Sequence, residues 1–238
     1  MSGMVFDGYD FEALLRVNPT RRLAPPVTDQ TVEVPGRPGA VFMRQQINPL
    51  AIPVHAELRG RMRDHRDLAA LRRLISSLLV RDEPCRLILP DEPGLSYDAK
   101  LTDPGELDTL WVTGEADLTF TAYDPIAYGQ ARKATLASGT THVETGGTWP
   151  SSPVLTLTAT GSGYVRVTDV DSGDYVLLAQ SAASGATVTI DMAAQTAKVN
   201  GSLAAVDTSS DFFDLDPDGA SVKVQYASGS MEWEERWL

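Results

Sequence analysis

The sequence predicts a mainly β protein with two unlike domains. The first is expected to be a β-sandwich-like domain with one α-helix and an extended hairpin arm, and the second an antiparallel β-sandwich of the jelly-roll type. Short β-prone segments separated by turn residues occupy most of the 238 residues, and a single segment has helical periodicity. Residues 1–133 hold 16 basic and 19 acidic residues, net −3, and residues 134–238 hold 4 and 13, net −9. This change places the domain boundary at Lys133.

The single helix is predicted over residues 67–80. Apolar side chains recur there at intervals of three and four, which lines one face of a helix, at Leu68, Leu71, Leu74, Ile75, Leu78 and Leu79. Asp64 or Asp67 is placed to cap its first turn, and Pro84 helps to end it. An arginine cluster between Arg59 and Arg73 decorates its polar side; it is either a solvated face or a contact with another subunit.

Strands are predicted on both sides of this helix. Residues 51–60 alternate, with Ile52, Val54, Ala56 and Leu58 on one face. Residues 86–89 and 95–101 flank a turn-rich connector, which indicates a β-hairpin. Residues 115–123 alternate again and stop at Pro125.

The arm is predicted from two β-prone segments, residues 31–34 and 40–43. Five residues interrupt them: Pro35, Gly36, Arg37, Pro38 and Gly39. Proline lacks a backbone donor and glycine permits tight turns, so this is a hairpin or extended arm with a Pro/Gly tip.

The second domain is predicted to contain strands alone. The segments are short, β-rich and separated by turn signals: residues 154–158, 164–167, 175–178, 186–191, 197–200, 221–226 and 231–233. Residues 128–153 contain Gly139, Gly146, Gly147, Pro150 and Pro153, which interrupt any regular pattern, and are expected to be an irregular seam. About seven short strands without helical periodicity point to a sandwich.

Composition narrows the class of function. The net charge of −12 argues against a surface that gains affinity from nucleic-acid phosphates. No apolar run approaches bilayer length, and no signal-like segment opens the chain. We therefore expect cytosolic synthesis without membrane insertion. The lone Cys85 rules out an internal disulfide. His55, His65 and His142 are scattered and are expected at the surface, without a zinc site.

Three features of the sequence resemble sites of chemistry. Residues 214–219, DLDPDG, match the start of a calcium-binding loop, but position twelve would be Gln225 and no helices flank the segment, so a solvated turn is preferred to calcium. Asp169, Asp171 and Asp174 lie in a hairpin turn, where acids usually solvate the loop rather than form a glycosidase pair. Cys85 is expected to pack as a small apolar side chain rather than act as a nucleophile.

Sequence motifs for nucleotide, zinc-protease and hydrolase chemistry are absent, so no catalytic, cofactor or metal site is predicted and the protein is not expected to be an enzyme. Trp149, Trp233 and Trp237 could stack on sugars or pack in the core or between domains. A carbohydrate-binding module is therefore the alternative to a structural protein.

The order of several short motifs resembles the distal tail proteins (Dit family) of siphophages. These motifs are FDG at 6–8, VEVPGRPG at 32–39, FTAYDP at 120–125, GTWPSSPV at 147–154, VTID at 188–191 and VNG at 199–201. The segment FFDLDPDGA at 212–220 stands where the family has a Leu-x-Pro-Gly-Asn turn, with Asp218 inserted and Ala220 in place of Asn.

The resemblance implies a homo-hexameric ring at the virion tail tip, a baseplate hub with a galectin-like C-terminal domain. Its implied partners are the tail tube protein, the tape-measure protein and the tail-associated lysin or spike protein, with receptor-binding proteins in some phages, and DNA passes through its channel without specific binding. A cyclic assembly needs two complementary surfaces on each subunit, and an extended hairpin laid across a neighbour supplies one. We therefore expect Pro35, Gly36, Arg37, Pro38 and Gly39 at the subunit interface.

Overall fold

The computed structural model describes residues 3–59, 65–105 and 115–238. Its contacts divide the chain into two units, the first extending to Ala127 and the second running from Tyr128 to Trp237. This division lies six residues before the change in composition at Lys133, because the chain leaves the first unit where a strand begins, at Ala127, and that strand continues to Leu136.

The described part of the first unit is built from short strands and one helix. In chain order they are β1 (Val5–Phe6), β2 (Tyr9–Asp10), β3 (Leu15–Pro19), β4 (Val27–Glu33), β5 (Ala40–Ile47), β6 (Leu50–Leu58), α1 (His65–Leu79), β7 (Cys85–Ile88), β8 (Ser96–Asp103) and β9 (Glu115–Ala122). Seven strands form an antiparallel sheet in the order β3-β6-β9-β8-β7-β1-β2. The predicted hairpin of residues 86–101 is confirmed as β7 and β8.

This sheet curls around one apolar core. Phe6 on β1 and Phe120 on β9 stand three strand positions apart, which is about 14 Å in a flat sheet, yet their ring centroids are 5.3 Å apart. The alternation predicted for residues 51–60 and 115–123 is confirmed, since Ile52, Val54 and Leu118 point into this core.

Helix α1 confirms the predicted periodicity with one correction. Leu79 is buried and Leu71, Ile75 and Leu78 are half-buried, whereas Leu74 is exposed and does not belong to the apolar face. Asp67 lies in the first turn, where a carboxylate interacts favourably with the positive end of the helix dipole. Arg72 and Arg73 are exposed; Arg61, Arg63 and Asp64 lie outside the described residues. No described helix is long and apolar enough to cross a membrane.

The predicted arm is confirmed as a hairpin. Strands β4 and β5 pair with each other in an antiparallel two-stranded sheet that is separate from the seven-stranded sheet. Among the described residues, no side chain of either strand belongs to a core cluster.

The second unit is an antiparallel β-sandwich. Its strands are β10 (Ala127–Leu136), β11 (Gly139–Val143), β12 (Val154–Ala159), β13 (Arg166–Asp169), β14 (Tyr175–Leu177), β15 (Thr187–Asp191), β16 (Thr196–Val199), β17 (Ser202–Ala204), β18 (Ala220–Gln225) and β19 (Ala227–Trp237). One layer has the order β17-β16-β15-β12-β19-β10 and the other β11-β18-β13-β14. Side chains from both layers, such as Leu157, Ile190, Val167 and Val222, share one core.

The expectation of an irregular seam over residues 128–153 is wrong for its first half. Strand β10 lies beside β19, and β11 pairs with β18 from Gly139 to Val143. His142 therefore lies on a strand instead of a linker. Glycine weakens strand propensity locally, but ladder hydrogen bonds to strands 80 to 100 residues later override it.

Candidate functional site

The arm formed by β4 and β5 is the most exposed structured part of the described chain. Every residue of β4 is exposed. The pairing shifts between Gln30 and Thr31, so that Gln30 faces Arg44 and Thr31 faces Phe42, and Met43 is left as the extra residue of a β-bulge. A bulge bends its strand and increases the local twist.

Large apolar side chains lie on this arm in contact with solvent. Phe42 is 59% exposed and Met43 62%, and Val27, Val32 and Val34 are between four and five tenths exposed. Clustered apolar side chains of this kind mark an interaction surface more often than a solvated one.

Polar side chains form hydrogen bonds across the hairpin of the arm. Arg44 Nε donates to Gln30 Oε1 at 2.7 Å, and Gln45 Nε2 donates to Asp29 Oδ1 at 3.0 Å. Asn48 Nδ2 donates to Thr28 Oγ1 at 2.7 Å. These cross-strand pairs stabilise an extended conformation although the arm has no core of its own.

The five predicted interface residues form the tip, and all are exposed. The amide of Arg37 donates to the carbonyl of Val34 at 3.1 Å and closes the turn. Gly36 and Gly39 both have φ of +81°, the left-handed region that glycine adopts without strain. No ion pair of the Arg37 guanidinium occurs within the described residues, so its charge is open to solvent.

The chain leading into the arm is tied to the first unit by Arg21. Its guanidinium binds the carboxylate of Asp91, lies 2.9 Å from Glu92 Oε2 and donates weakly to the Tyr97 hydroxyl at 3.4 Å. Partial burial opposes ionisation of Asp91, but the hydrogen bonds and charge of Arg21 outweigh it, so the pKa of Asp91 is lowered.

His55 lies on the polar face of β6, as predicted. Its Nδ1 is 2.8 Å from Oδ1 of Asp117 and its Nε2 is 3.9 Å from Oε2 of Glu115, both on β9. The hydrogen bond to Asp117 outweighs desolvation and raises the pKa of His55. His142 lies on β11 with Nδ1 3.3 Å from the Ser221 hydroxyl. The side chain of His65 lies outside the described residues.

The carboxylates of the two acidic segments, residues 169–174 and 214–219, accept hydrogen bonds from nearby backbone and hydroxyl groups. Asp214 accepts a hydrogen bond from the Ser152 hydroxyl, and Asp216 Oδ1 accepts from the Asp218 amide at 3.0 Å. Across the sandwich layer, Asp171 Oδ2 accepts from the Ser221 amide at 2.8 Å. Within the residues that the structure describes, no three metal-ligating side chains group together.

Cys85 is half-buried on β7 and packs against the first core. Desolvation raises the pKa of its thiol, and a raised pKa disfavours the thiolate that nucleophilic chemistry requires.

The three tryptophans do not form a common platform. Trp233 is buried, and its Nε1 donates to the Thr145 carbonyl at 2.9 Å, so its ring belongs to the core. Trp149 and Trp237 are half-buried.

An ion pair between a buried glutamate and an exposed arginine, which no sequence pattern predicted, stabilises the second unit. Glu235 on β19 is buried, and its Oε1 accepts from Arg132 Nε on β10 at 2.7 Å. Burial opposes ionisation, but Arg132 and the Gln130 amide lower the pKa of Glu235. A Cβ added to Gly129 or Gly146 would lie 2.8 Å from this carboxylate, so glycine leaves room for it.

Two family models match this sequence. One, described as a phage tail protein RIFT-related domain, matches residues 8–122, and the other, a siphovirus-type tail component C-terminal domain, matches residues 146–237. No curated protein matches the sequence.

Solved structures give a similar result. The chain is similar to the crystal structure of Dit (gp 19.1) of phage SPP1, described as a paradigm of the hub adsorption apparatus in phages infecting Gram-positive hosts. The TM-score is 0.82 with 18% identity, and the match covers 100% of both chains. Two structures of the phage p2 baseplate in its activated conformation, with Ca and with Sr, align at TM-scores of 0.49 and 0.48 with 10% and 11% identity, over 95% of this chain and 92% of those chains. With both halves matched by phage-tail family models, the chain belongs to the siphophage distal tail protein family, a family of structural components of the phage tail.

Proposed function

We propose that this chain assembles into a homo-hexameric ring at the virion tail tip, where it serves as the structural hub between the tail tube and the tail-tip or baseplate proteins. The observation that carries the proposal is the arm of β4 and β5, which projects apolar side chains without contributing to either core. A protomer with such an arm needs a neighbour to cover it.

Cyclic symmetry accounts for this arrangement. Each protomer of a ring presents one surface to the next protomer and a different surface to the previous one. Burying the side chains of Phe42 and Met43 on a neighbour would contribute about 1.5–3 kcal/mol each before the entropic cost of association. The tip residues Pro35, Gly36, Arg37, Pro38 and Gly39 would complete the contact, with Arg37 free to bind a carboxylate of the acidic neighbour.

The two domains have different roles in this proposal. Residues 1–133 form the ring around a channel, and residues 134–238 form a galectin-like domain outside it. Residues 1–133, which would surround the channel, carry a net charge of −3 of the chain's −12, a sign that suits passage of DNA without binding because like charge repels the phosphates.

The proposed partners follow from this position in the virion. They are the tail tube protein, the tape-measure protein and the tail-associated lysin or spike protein, with a receptor-binding protein as a further partner. The role is structural and non-enzymatic, without membrane insertion, and the chain is made in the host cytoplasm before virion assembly.

Native mass spectrometry of the full chain tests the ring. We expect a hexamer for the wild type and monomers for the double variant Phe42→Asp/Met43→Asp and for deletion of residues 35–39. Leu203→Asp is the matched control, since Leu203 is exposed on β17 and lies outside the arm; it should remain hexameric. The dissociated variants should have the same melting temperature as wild type that has been diluted until it dissociates.

The outcomes separate the parts of the proposal. A monomeric wild type at micromolar concentration contradicts the ring. Hexamers that survive both arm variants retain the ring but show that the arm is not its contact.

A further inference from the structure

The outward face of the four-stranded layer has an unusual set of side chains. Val165, Val167, Val222 and Val224 are buried, so their alternating neighbours on β13 and β18 point outward. With the adjacent strands, this gives a surface that we call the tyrosine-cation face. Its defining residues are His142, Tyr164, Arg166, Tyr175, Lys223 and Gln225.

The strand register brings these side chains together. Lys223 on β18 faces Thr140 on β11 and Thr168 on β13. Arg166 faces Gln225, so the two cations stand diagonally on adjacent strands, within reach of one extended ligand.

The outward strand positions of the face carry cations although the unit is acidic, and one carboxylate borders the face, that of Asp171, which accepts from the Ser221 amide. Arg166 and Lys223 are two of the four basic residues in residues 134–238, which carry a net charge of −9. None of the outward positions on β11, β13, β14 and β18 is acidic. Within the described chain Lys223 makes no ion pair, and Arg166 donates a hydrogen bond from Nε to Thr168 Oγ1 at 3.2 Å, which leaves its terminal nitrogens without a hydrogen bond to the described residues. Both cations are therefore available to an anion.

Aromatic rings accompany the cations. The Arg166 guanidinium lies 3.8 Å from the centroid of the Tyr175 ring, and the Tyr175 hydroxyl is 2.8 Å from that of Ser209. This stacking fixes the cation in a planar orientation. Tyr164, two residues before Arg166 at the start of β13, is 54% exposed.

A second exposed tyrosine is held by a strained backbone. Tyr226 follows β18 with φ of +59°, which is uncommon for a bulky side chain, and it is 45% exposed. Its ring lies against Gly163, where an added Cβ would be 2.8 Å from the ring, and Gly163 precedes Tyr164. Strained positions persist where the surroundings require them and cluster at binding sites.

We propose that the tyrosine-cation face binds an anionic glycan chain. Tyrosine rings offer an apolar surface for a sugar ring and a hydroxyl for hydrogen bonding, and guanidinium and ammonium groups bind carboxylate or phosphate substituents. An exposed sheet face suits an extended polymer. An acidic protein segment is less suitable, because protein interfaces depend on apolar anchors seated in pockets and this face offers Leu177 as its aliphatic side chain.

This site goes beyond the proposed ring and does not require it. It also differs from the sugar platform considered from sequence, since none of Trp149, Trp233 and Trp237 lies on these four strands.

Isothermal titration of the full chain tests the site with four polymers: polygalacturonate, phosphomannan, neutral dextran and poly-L-glutamate. We expect at least one of the two anionic glycans to bind at least about tenfold more tightly than dextran and polyglutamate, and added salt to weaken it because exposed charges are screened. The two glycans distinguish carboxylate from phosphate recognition.

Matched lysine variants locate the site. Lys223→Ala should weaken glycan binding about tenfold, a loss typical of a charge-assisted contact. Lys198→Ala removes the same charge from β16, in the other layer of the sandwich, and should bind like the wild type. Tyr164→Ala tests the stacking. Circular dichroism confirms that each variant is folded.

Three results would overturn the proposal: no binding of either anionic glycan, equal binding of polyglutamate, or equal losses in Lys223→Ala and Lys198→Ala. Oligomeric state is measured on the same samples, so a monomer that binds glycan contradicts the ring and retains this site.

Discussion

Arg21 donates two parallel hydrogen bonds to the carboxylate of Asp91, 70 residues later in the sequence, with N–O distances of 2.8 and 3.0 Å. This fork joins the segment that precedes the arm to the turn between β7 and β8. It therefore fixes the direction in which the chain leaves the seven-stranded sheet for the arm.

Replacing Arg21 by alanine should lower the free energy of unfolding by about 1 kcal/mol, since the geometry is bidentate but both side chains remain partly exposed. Chemical denaturation measures the loss, and a double-mutant cycle with Asp91→Ala isolates the pair. Arg22→Ala is the control, because Arg22 is exposed and forms no hydrogen bond or ion pair within the described residues. Equal losses for Arg21 and Arg22 would contradict the anchoring role.

Glu235→Gln should destabilise the protein by about 1.5–3 kcal/mol, the range for hydrogen bonds to charged groups. Glu232→Gln is the control on the same strand: its 2.6 Å contact with Lys133 is exposed and should change stability by less than about 0.5 kcal/mol. Because the pKa of Glu235 is lowered by folding, its contribution is present above the unfolded pKa and is lost as pH falls through the folded pKa. The difference between Glu235→Gln and wild type should shrink in acid; a constant difference would contradict the assignment.

Gly147→Ala should be among the more harmful alanine substitutions in the second unit. Gly147 has φ of +88°, and an added Cβ would lie 2.3 Å from the Arg236 carbonyl oxygen. We expect a loss of about 3 kcal/mol from left-handed strain and overpacking together. Gly173→Ala has a similar φ of +86° with no atom within 4 Å and should cost about 1 kcal/mol. Melting temperatures of the two variants separate the steric cost from the cost of the left-handed backbone. Equal decreases in melting temperature would contradict the close approach of an added Cβ to the Arg236 carbonyl oxygen.

His55 should titrate above the ordinary pH range of histidine, since its hydrogen bond to Asp117 raises its pKa. Its stabilising contribution is then complete below about pH 6.5, the ordinary pKa, and is lost as pH rises through the folded pKa. NMR titration of the imidazole measures this directly. Asp117→Asn should lower the pKa more than Glu115→Gln, because the contacts are 2.8 and 3.9 Å. The reverse order would contradict this pairing.

The helix and the hairpins could be predicted because residues close together in the sequence determine them. The helical spacing from Leu71 to Leu79 is a local property, and the Pro/Gly tip predicted the hairpin of β4 and β5 without knowledge of any distant partner. The same tip gave the candidate contact surface.

Long-range pairings could not be obtained in this way. Glu235 and Arg132 are 103 residues apart, and no spacing rule connects them. Leu74 fits the helical period but is exposed, because the period does not state how wide the buried stripe is. The tyrosine-cation face was missed since its members come from four strands, and only the register places Arg166, Tyr175 and Lys223 together.

Because the arm contributes no side chain to either core of the described chain, the residues of the arm and the residues of the cores are under different constraints. A substitution at Phe42 or Met43 removes no side chain from a core, so the chain can fold while, in the proposed ring, its contact with a neighbour changes. A two-stranded hairpin alone is only marginally stable in water, so its order would be completed on contact with another protomer. Selection for partner specificity and selection for a stable protomer can therefore act on different residues.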